Sequence, residues 1–531
     1  MREITKYHDT SKTVKERAKT KVFGAVYSHT AIILLLILLQ IGIMVLTFTY
    51  LGNYSTYMNG VISLLSFITA IYIFNEKGNP AFKMTWILFV FLVPVVGVGF
   101  YLFTKAGIGT KYLGARLEKL RVETEPYMQQ NEYVVHAMKG GRVANANLSH
   151  FLYNQVGFPT YGNSQAQYFP LGDDKFPVLI EELNKAEKFI FMEYFIIGEG
   201  YVWNTVLEVL RKKVKEGVEV RLMYDGTCSI SLLPYEYPKQ LREYGIQCKE
   251  FGPIVPILST SQNNRDHRKI CVIDGKVAFT GGVNLADEYI NKKVRFGHWK
   301  DTAIKIEGDA VQSFTMMFLQ MWNVTERQPE DYGKYAVPKD YEHPQSTDHS
   351  GFVLPYGDSP MDREQVGERV YLDILNQARS YVHIMTPYLI LDDEMVNALS
   401  YAAKRGIDVK LIMPHIPDKK YAYMLARTFY PELTRAGVKI YEYTPGFVHA
   451  KVFVSDDEKA VVGTINLDFR SLYLHFECAA YIYRNPVVFD VERDFEETLK
   501  KCSLITMEDC KNYSWMGKKL GRLMRLVAPL M

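Results

Sequence analysis

The chain is poor in net charge, in cysteine and, over one long stretch, in charge of any sign. Its 62 Lys and Arg stand against 59 Asp and Glu in 531 residues, a formal +3. That balance leaves no large nucleic-acid footprint, although it excludes nothing local. The six cysteines, at 228, 248, 271, 478, 502 and 510, include no C-x-x-C pair. Free thiols in a reducing compartment fit this better than a disulfide framework or a zinc site. Between Lys21 and Glu76 there is no Asp, Glu, Lys or Arg, which is a strong membrane signal.

Within that stretch Ala31 to Leu51, "AIILLLILLQIGIMVLTFTYL", is long enough to cross a hydrocarbon core as a helix. A second apolar run covers Met58 to Phe74. A third, Met84 to Thr104, is also uncharged but carries Pro94, Gly97 and Gly99. A buried core helix is the alternative for each run. A cleaved signal peptide fits poorly, because the first run is long and begins only after a substantial leader. That leader carries Arg2, Lys6, Lys12, Lys15, Arg17, Lys19 and Lys21, which belong on the cytoplasmic side. Three full crossings would leave the rest of the chain outside. Yet Lys105, Lys111, Arg116, Lys119 and Arg121, just beyond the third run, also call for the inside. Either one run is re-entrant or interfacial or the charge bias is broken, and the large region that follows is expected to be cytoplasmic.

Beyond the membrane region the chain reads as two similar α/β halves. The first has a helical pattern at Phe176 to Ala186, an apolar strand from Phe189, a helix near Val202 to Lys215 and "GVEVRLMYDG" from Gly217. The second has a helix at Val366 to Ala378, a strand from Tyr381 and "GIDVKLIMP" from Gly406. Strands alternating with helices argue for βα units around a mostly parallel sheet. The offset between matching elements shrinks along the chain, as expected of a duplication whose second copy has shorter connections. The expected organisation is a basic leader at 1–28, a membrane-spanning or re-entrant region at 29–104 and a connecting segment at 105–165. Halves at 166–340 and 361–510 follow, joined by a linker at 341–360, and 511–531 forms a basic amphipathic helix. That last helix suits either anionic lipid headgroups or docking on the protein.

The chemistry-bearing feature is a motif that occurs twice. "DHRKICVIDGKVAFTGGVN" places His267, Lys269, Asp274, Gly281, Gly282 and Asn284 at the same spacing as His449, Lys451, Asp456, Gly463, Thr464 and Asn466. Residues i and i+2 of a strand share a face, so each histidine projects with its lysine. Asp274-Gly275 reads as a tight hairpin turn, with Asp456, Asp457 and Glu458 as its counterpart, and each turn returns the glycines and asparagine toward the histidine. An ammonium and an amide N–H suit the oxygens of a phosphate. A single copy could be an ordinary hairpin with a satisfied histidine; recurrence of the whole spacing argues otherwise. Two histidines facing one cleft supply a nucleophile and a proton donor for phosphodiester exchange.

These residues resemble the paired H-x-K-x4-D signature of the phospholipase D superfamily. "NNRDHRKICVIDG", "TGGVNLADEYI", "HWKDT", "GTINLDFRSL", "RLVAPLM" and the apolar start are similar to bacterial cardiolipin synthases. The resemblance implies two tandem α/β/α halves forming one pseudo-twofold catalytic unit behind N-terminal transmembrane helices. It implies that His267 attacks phosphorus to form a phosphohistidine. His449 then protonates the departing glycerol and activates the incoming hydroxyl, while Lys269, Lys451, Asn284 and Asn466 hold phosphate oxygens near Gly281, Gly282, Gly463 and Thr464. Asp301 and Glu477 are the candidate carboxylates that orient the histidines; Asp274 and Asp456, although part of the signature, read as turn residues. Gly282 and Thr464 stand where the superfamily has serine, and His475 where many relatives have asparagine. The implied activity is transfer of a phosphatidyl group between two phosphatidylglycerols, with no metal or other cofactor and no nucleic-acid partner. Anionic membrane lipids are the expected partners, the cell membrane the expected location, and homo-oligomerisation is left open. The rival readings are another acceptor such as serine, water or a sugar alcohol, a nuclease, a non-catalytic scaffold and a transporter. Acceptor choice is expected to lie in loops such as Cys228 to Asn264.

Overall fold

The computed structural model describes residue 42 and residues 55–530, apart from 141–142, 229–231, 235, 253–262, 329, 338–350 and 363. The first apolar run and the leader lie outside these residues, as does much of the Cys228 to Asn264 loop. The chain forms two compact units. One comprises 1–112, 254–262 and 522–531; the other comprises 113–253 and 263–521.

In the first unit, Ser55–Asn75 is a single 21-residue helix. It contains the one segment among the described residues that is long and apolar enough to cross a bilayer, Thr56–Asn75. The third apolar run behaves differently. It is broken at Val93, where Pro94 opens a new helix, into Pro80–Leu92 and Pro94–Ala106, of 13 residues each. At 1.5 Å per residue each piece is about 20 Å long, short of a hydrocarbon core of about 30 Å. The two fold back on each other: Trp86 packs against Phe100 and Tyr101 at ring distances of 5.7 and 5.4 Å. Gly97 lies against the Phe89 carbonyl, and a Cβ there would come within 2.8 Å of it. Both ends of this hairpin lie at the end of the Ser55–Asn75 helix. Tyr101 donates to Glu76 at 2.7 Å, Lys105 pairs with the same carboxylate, and Lys83 reaches the Phe74 carbonyl.

The second unit contains both halves. In the first half the strands are β1 (Ser164–Phe169), β2 (Phe189–Tyr194), β3 (Glu219–Asp225), β4 (Gln247–Phe251), β5 (Lys269–Ile273), β6 (Val277–Gly281), β7 (His298–Lys300) and β8 (Ala303–Gly308). Its sheet runs β1-β8-β6-β5-β2-β3-β4. In the second half they are β9 (Phe352–Asp358), β10 (Tyr381–Met385), β11 (Asp408–Pro414), β12 (Lys439–Tyr443), β13 (Gly446–Val448), β14 (Val452–Ser455), β15 (Lys459–Gly463), β16 (Glu477–Tyr483) and β17 (Cys502–Leu504). That sheet runs β9-β16-β15-β14-β10-β11-β12-β17. The two orders are the same, strand for strand, apart from the added edge strand β17.

Two expectations change. The two large sheets are mixed rather than mostly parallel: within them only β2-β3-β4 and β10-β11-β12 run parallel, and every other neighbour is antiparallel. Helical crossovers connect the parallel strands, whereas the motif strands are joined by tight turns, which force antiparallel pairing. The segment read as a linker contains β9, which pairs with β16 along its length. Its Pro355 and Gly357 mask a strand that sits at the sheet edge, where proline is tolerated. One apolar core runs through both halves, uniting Phe191, Phe314 and Phe318 with Val452, Val462 and Phe495. All six cysteines are free.

Candidate active site

Each motif occupies a β-hairpin closed by a tight turn. Asp274 and Gly275 have φ of 54° and 67°, Asp456 and Asp457 of 55° and 56°. Both central residues of each turn are thus left-handed, as the twist of a two-residue hairpin requires. The aspartates secure these turns. Asp274 accepts from the backbone N–H groups of Glu187, Lys188 and Phe189 at 2.7–2.8 Å. Asp456 accepts from Arg379, Ser380 and Tyr381 at 2.9–3.1 Å. They lie at the far ends of β5 and β14 from the histidines and tie each turn to the strand beside it.

At the other end the two halves interlock. The His267 N–H donates to the Phe476 carbonyl at 2.9 Å, and the His449 N–H to the Lys300 carbonyl at 2.7 Å. In each case the acceptor immediately precedes a predicted carboxylate of the opposite half. β7 and β13 continue the second junction as a short parallel pair. The side chains follow the same crossing. His267 Nδ1 lies 2.9 Å from both oxygens of Glu477, and His449 Nδ1 lies 2.6 Å from Asp301 Oδ2. The carboxylate that orients each imidazole is thus supplied by the other half. Lys451 Nζ also approaches His449 Nδ1 at 2.9 Å; that nitrogen cannot serve both, and the shorter charge-assisted contact to Asp301 takes its proton.

Both histidines are buried, at 6% and 8% exposure, and Glu477 and Asp301 wholly so. Burial pushes the His267 imidazolium well below its ordinary range, and Lys269, His475, Lys451 and His449 push the same way. For His449 burial again leads, followed by Lys451, and the pKa falls to about 4. At neutral pH both rings are uncharged. Burial lowers Lys269 to about 8 and Lys451 to about 7, against the pull of Glu477 and Asp301. Burial raises Glu477 to about 8, with Lys269 opposing. The motif histidines and lysines of both halves therefore act on each other's charge, so they occupy one electrostatic neighbourhood.

Asn284 accepts from the Ile196 N–H at 2.9 Å and donates to Tyr289 at 2.8 Å, and Asn466 donates to Ser471 at 3.1 Å. Gly281 and Gly463 sit where a Cβ would strike Ala303 and Ala479 of the neighbouring strands. The two serine replacements match the carboxylates they meet. Thr464 donates its hydroxyl to Glu477. Gly282 lies against Asp301, whose Oδ1 occupies the place a Cβ would take. A shorter acid is paired with a missing side chain. Gly282→Ala should push Asp301 off His449 and lower turnover about 100-fold. Product formation at saturating lipid checks this, and a rate near that of the unaltered protein would refute it.

Sequence reasoning missed several neighbours. Phe195 stands edge-on to His267 at 4.8 Å, Tyr289 and Trp299 flank His449 at 5.6 and 5.5 Å, and Ser471 supports Asn466. "NLDFRSL" carried a signal for Ser471 alone. Glu193 is buried and paired with Arg268 at 2.5 Å; Arg268 stands between His267 and Lys269 in the chain. His267, His475 and Glu477 bring ligand atoms within 4.8 Å of one another. The cations that bear on these rings, Lys269, Lys451 and Arg470 among them, suit an anion there better than a metal. A second such group, His383, Glu492 and Glu496, already has Lys410 at 3.1 Å from Glu496.

Residues 179–322 and 371–499 match the family described as cardiolipin synthase, phospholipase D-like domain. The chain belongs to that family. With its cardiolipin synthase relatives, this makes it a phosphatidyltransferase of the phospholipase D superfamily. Residues 64–105 match a second family, described as phospholipase D-nuclease N-terminal, which covers the re-folded third run. A cardiolipin synthase of Alkalihalophilus pseudofirmus is 33% identical over 90% of this chain and 96% of its own. An uncharacterized protein of Streptococcus mutans is 50% identical over 87% of this chain and 99% of its own. The phosphatidylserine synthase of Haemophilus influenzae shares the fold, with a TM-score of 0.54 at 15% identity, covering 72% of this chain and 97% of that one. The phospholipase D-like halves of the cardiolipin synthase family are thus the two sheets described here, and the crossed histidines and carboxylates lie where they meet.

Proposed function

We propose that this chain is a membrane-anchored transphosphatidylase that converts two phosphatidylglycerols into cardiolipin and glycerol. The observation that carries this reading is the crossed clamp: two uncharged imidazoles, each oriented by the opposite half, in one buried neighbourhood with two lysines. When Glu477 is ionised, a form whose share grows as pH approaches its raised pKa of about 8, it accepts the His267 Nδ1 proton in a hydrogen bond and leaves Nε2 bare to attack phosphorus. The bond from phosphorus to the head-group oxygen breaks, and glycerol leaves with a proton from His449. His449 is uncharged at rest; an anionic phosphodiester beside it, together with Asp301, favours the imidazolium it needs as an acid. The terminal hydroxyl of a second phosphatidylglycerol then gives its proton to His449 and attacks phosphorus, and the P–N bond to His267 breaks. Lys269, Lys451, Asn284 and Asn466 hold the nonbridging oxygens as charge grows on them. Every step uses groups of this chain, so the scheme calls for no cofactor. The deciding test is incubation of the detergent-solubilised protein with phosphatidylglycerol alone. Cardiolipin and glycerol are expected by mass, and phosphatidic acid as the dominant product would replace transfer with hydrolysis.

The lowered lysines set the pH dependence. A lysine whose pKa lies at 7–8 rather than 10.5 loses its charge as pH rises through that range. The grip on phosphate is therefore present below the range and lost above it. The free-enzyme profile of kcat/KM is expected to fall above about pH 8. A plateau to pH 10 would show that the lysines stay charged.

The helical hairpin supports a topology in which Ala31 to Leu51 and Ser55–Asn75 cross the membrane and the third run enters and leaves on one side. That arrangement places the leader, Lys77, Lys105 and the catalytic unit together in the cytoplasm and satisfies every basic cluster. Single cysteines at Tyr57 and Lys77 in intact cells should differ: the first reacts with an impermeant maleimide and the second does not. The reverse pattern inverts the topology. The C-terminal helix Trp515–Arg525 exposes Trp515, Met516 and Leu523 beside Lys518 and Lys519, which suits anionic headgroups. Just beyond it, the Leu526 carbonyl accepts from Thr85 of the hairpin at 2.8 Å.

A further inference from the structure

His475 is the one imidazole near the nucleophile that the scheme above leaves unused. It is 8% exposed, and neither ring nitrogen has a hydrogen-bond partner among the described residues. Its ring centre lies 5.6 Å from that of His267, and its Nδ1 lies 3.8 Å from Glu477 Oε1, beyond hydrogen-bond reach. A buried donor and a buried acceptor left open together are costly, and such a cost is usually repaid by a ligand or a water. The pair beside it is closed: both Glu477 oxygens are engaged by His267, and Thr464 adds a hydroxyl to one of them. His475 therefore has nothing to gain from the clamp.

Its charge state narrows the ligand. Burial, then Arg470, Lys269, Lys419 and Arg265, hold the ring uncharged. A neutral imidazole offers one N–H and one lone pair. A phosphate oxygen only accepts and would satisfy one of these. A hydroxyl gives and takes, and two adjacent hydroxyls satisfy both. A cavity of about 30 Å³, lined by Ser359, Asp362, Tyr473 and His475 among others, adjoins the ring and has room for water. It cannot hold a head group, so a polyol would have to meet the ring from the side of His267.

We propose that His475 is a specificity-determining residue that reads the free hydroxyls of the donor's head group while His267 attacks its phosphorus. This inference rests on the transfer reading above and extends it by assigning the donor's alcohol a recognition site. A purely structural histidine, bridged to the protein by one water, is the competing account.

The test compares phosphatidylglycerol with phosphatidylpropanol, which has the same diester but no free hydroxyl. Both carry radioactive phosphate, and the rate of covalent labelling of the full-length protein isolates the donor step. Unaltered protein should label faster from phosphatidylglycerol by about tenfold or more, the worth of one or two hydrogen bonds. His475→Leu should narrow that ratio about tenfold, and His475→Asn, which keeps a donor and an acceptor, should restore part of it. The loss should appear in KM for phosphatidylglycerol more than in kcat. An equal slowing of both donors in His475→Leu would overturn the proposal and make the residue a support for the clamp. So would equal labelling of the unaltered protein by the two lipids. If neither lipid labels it, the transfer reading fails first and this inference with it. Should His475→Leu not fold, the ratio measured for His475→Asn and His475→Gln decides, and a ratio unchanged in both counts against the proposal.

Discussion

His267→Ala is expected to abolish covalent labelling by a donor carrying radioactive phosphate and to lower cardiolipin formation by at least about 10⁴-fold. The magnitude is that of removing a nucleophile from a site whose remaining groups only position and polarise. The proposed assignment rests on the contact with Glu477. His267 has the two-oxygen contact with Glu477, and burial holds its imidazolium well below the ordinary range. Removing it leaves His449 with Asp301 but with no Glu477 contact of its own. Label that survives in His267→Ala would transfer the attacking role to His449. The companion variant His449→Ala then separates the cases: it should still accept label from a donor whose leaving alcohol is acidic enough to need no proton, and should fail to pass the group on.

Glu477→Gln is expected to reduce the rate of label formation by about 10³- to 10⁴-fold, although the residue lies 210 positions from His267 in the chain. An amide is the same size but offers the ring either an oxygen or an NH₂, and no charge to stabilise the imidazolium that builds as attack proceeds. Loss of the corresponding carboxylate in an oriented imidazole pair costs about 10⁴ where it has been isolated. Two measurements make the result specific to the crossing. The pH profile should move, because Glu477 itself titrates, near about 8, while hydrogen-bonded to His267 Nδ1. Glu477→Gln combined with His267→Ala should be no worse than His267→Ala alone, because both act on one step. Asp301→Asn should instead act through His449, slowing departure of glycerol and arrival of the acceptor. Additive losses in the double variant would mean that Glu477 acts elsewhere.

The sequence exposed the chemistry better than the architecture around it. The paired motif was legible because its spacing is local: strand alternation puts His267 with Lys269, and Asp274-Gly275 can hardly be anything but a turn. Asp301 and Glu477 came as candidates only through the family resemblance, which implies a carboxylate downstream of each motif. Their exchange between halves was not legible, because pairing of Asp266 with Phe476 and of Phe447 with Trp299 joins segments far apart in the chain. Sheet direction failed for a related reason. Strand and helix alternate in sequence, but the antiparallel strands are added by hairpins and long returns that periodicity does not register. β9 was hidden by Pro355, Gly357 and the acidic, Ser-rich run before it. The third apolar run looked like a span by length alone. Pro94 and Gly97 were visible as irregularities, but their outcome, two short helices turned back on each other, depends on Gly97 meeting the Phe89 backbone.

The two clamps are not copies. One has a glutamate backed by a threonine hydroxyl, the other an aspartate against a bare glycine. In the proposed exchange the two arms would meet unlike alcohols. One methylene and one hydroxyl give the cleft a sense of direction, so that a symmetric scaffold can carry an exchange whose two ends are chemically unequal.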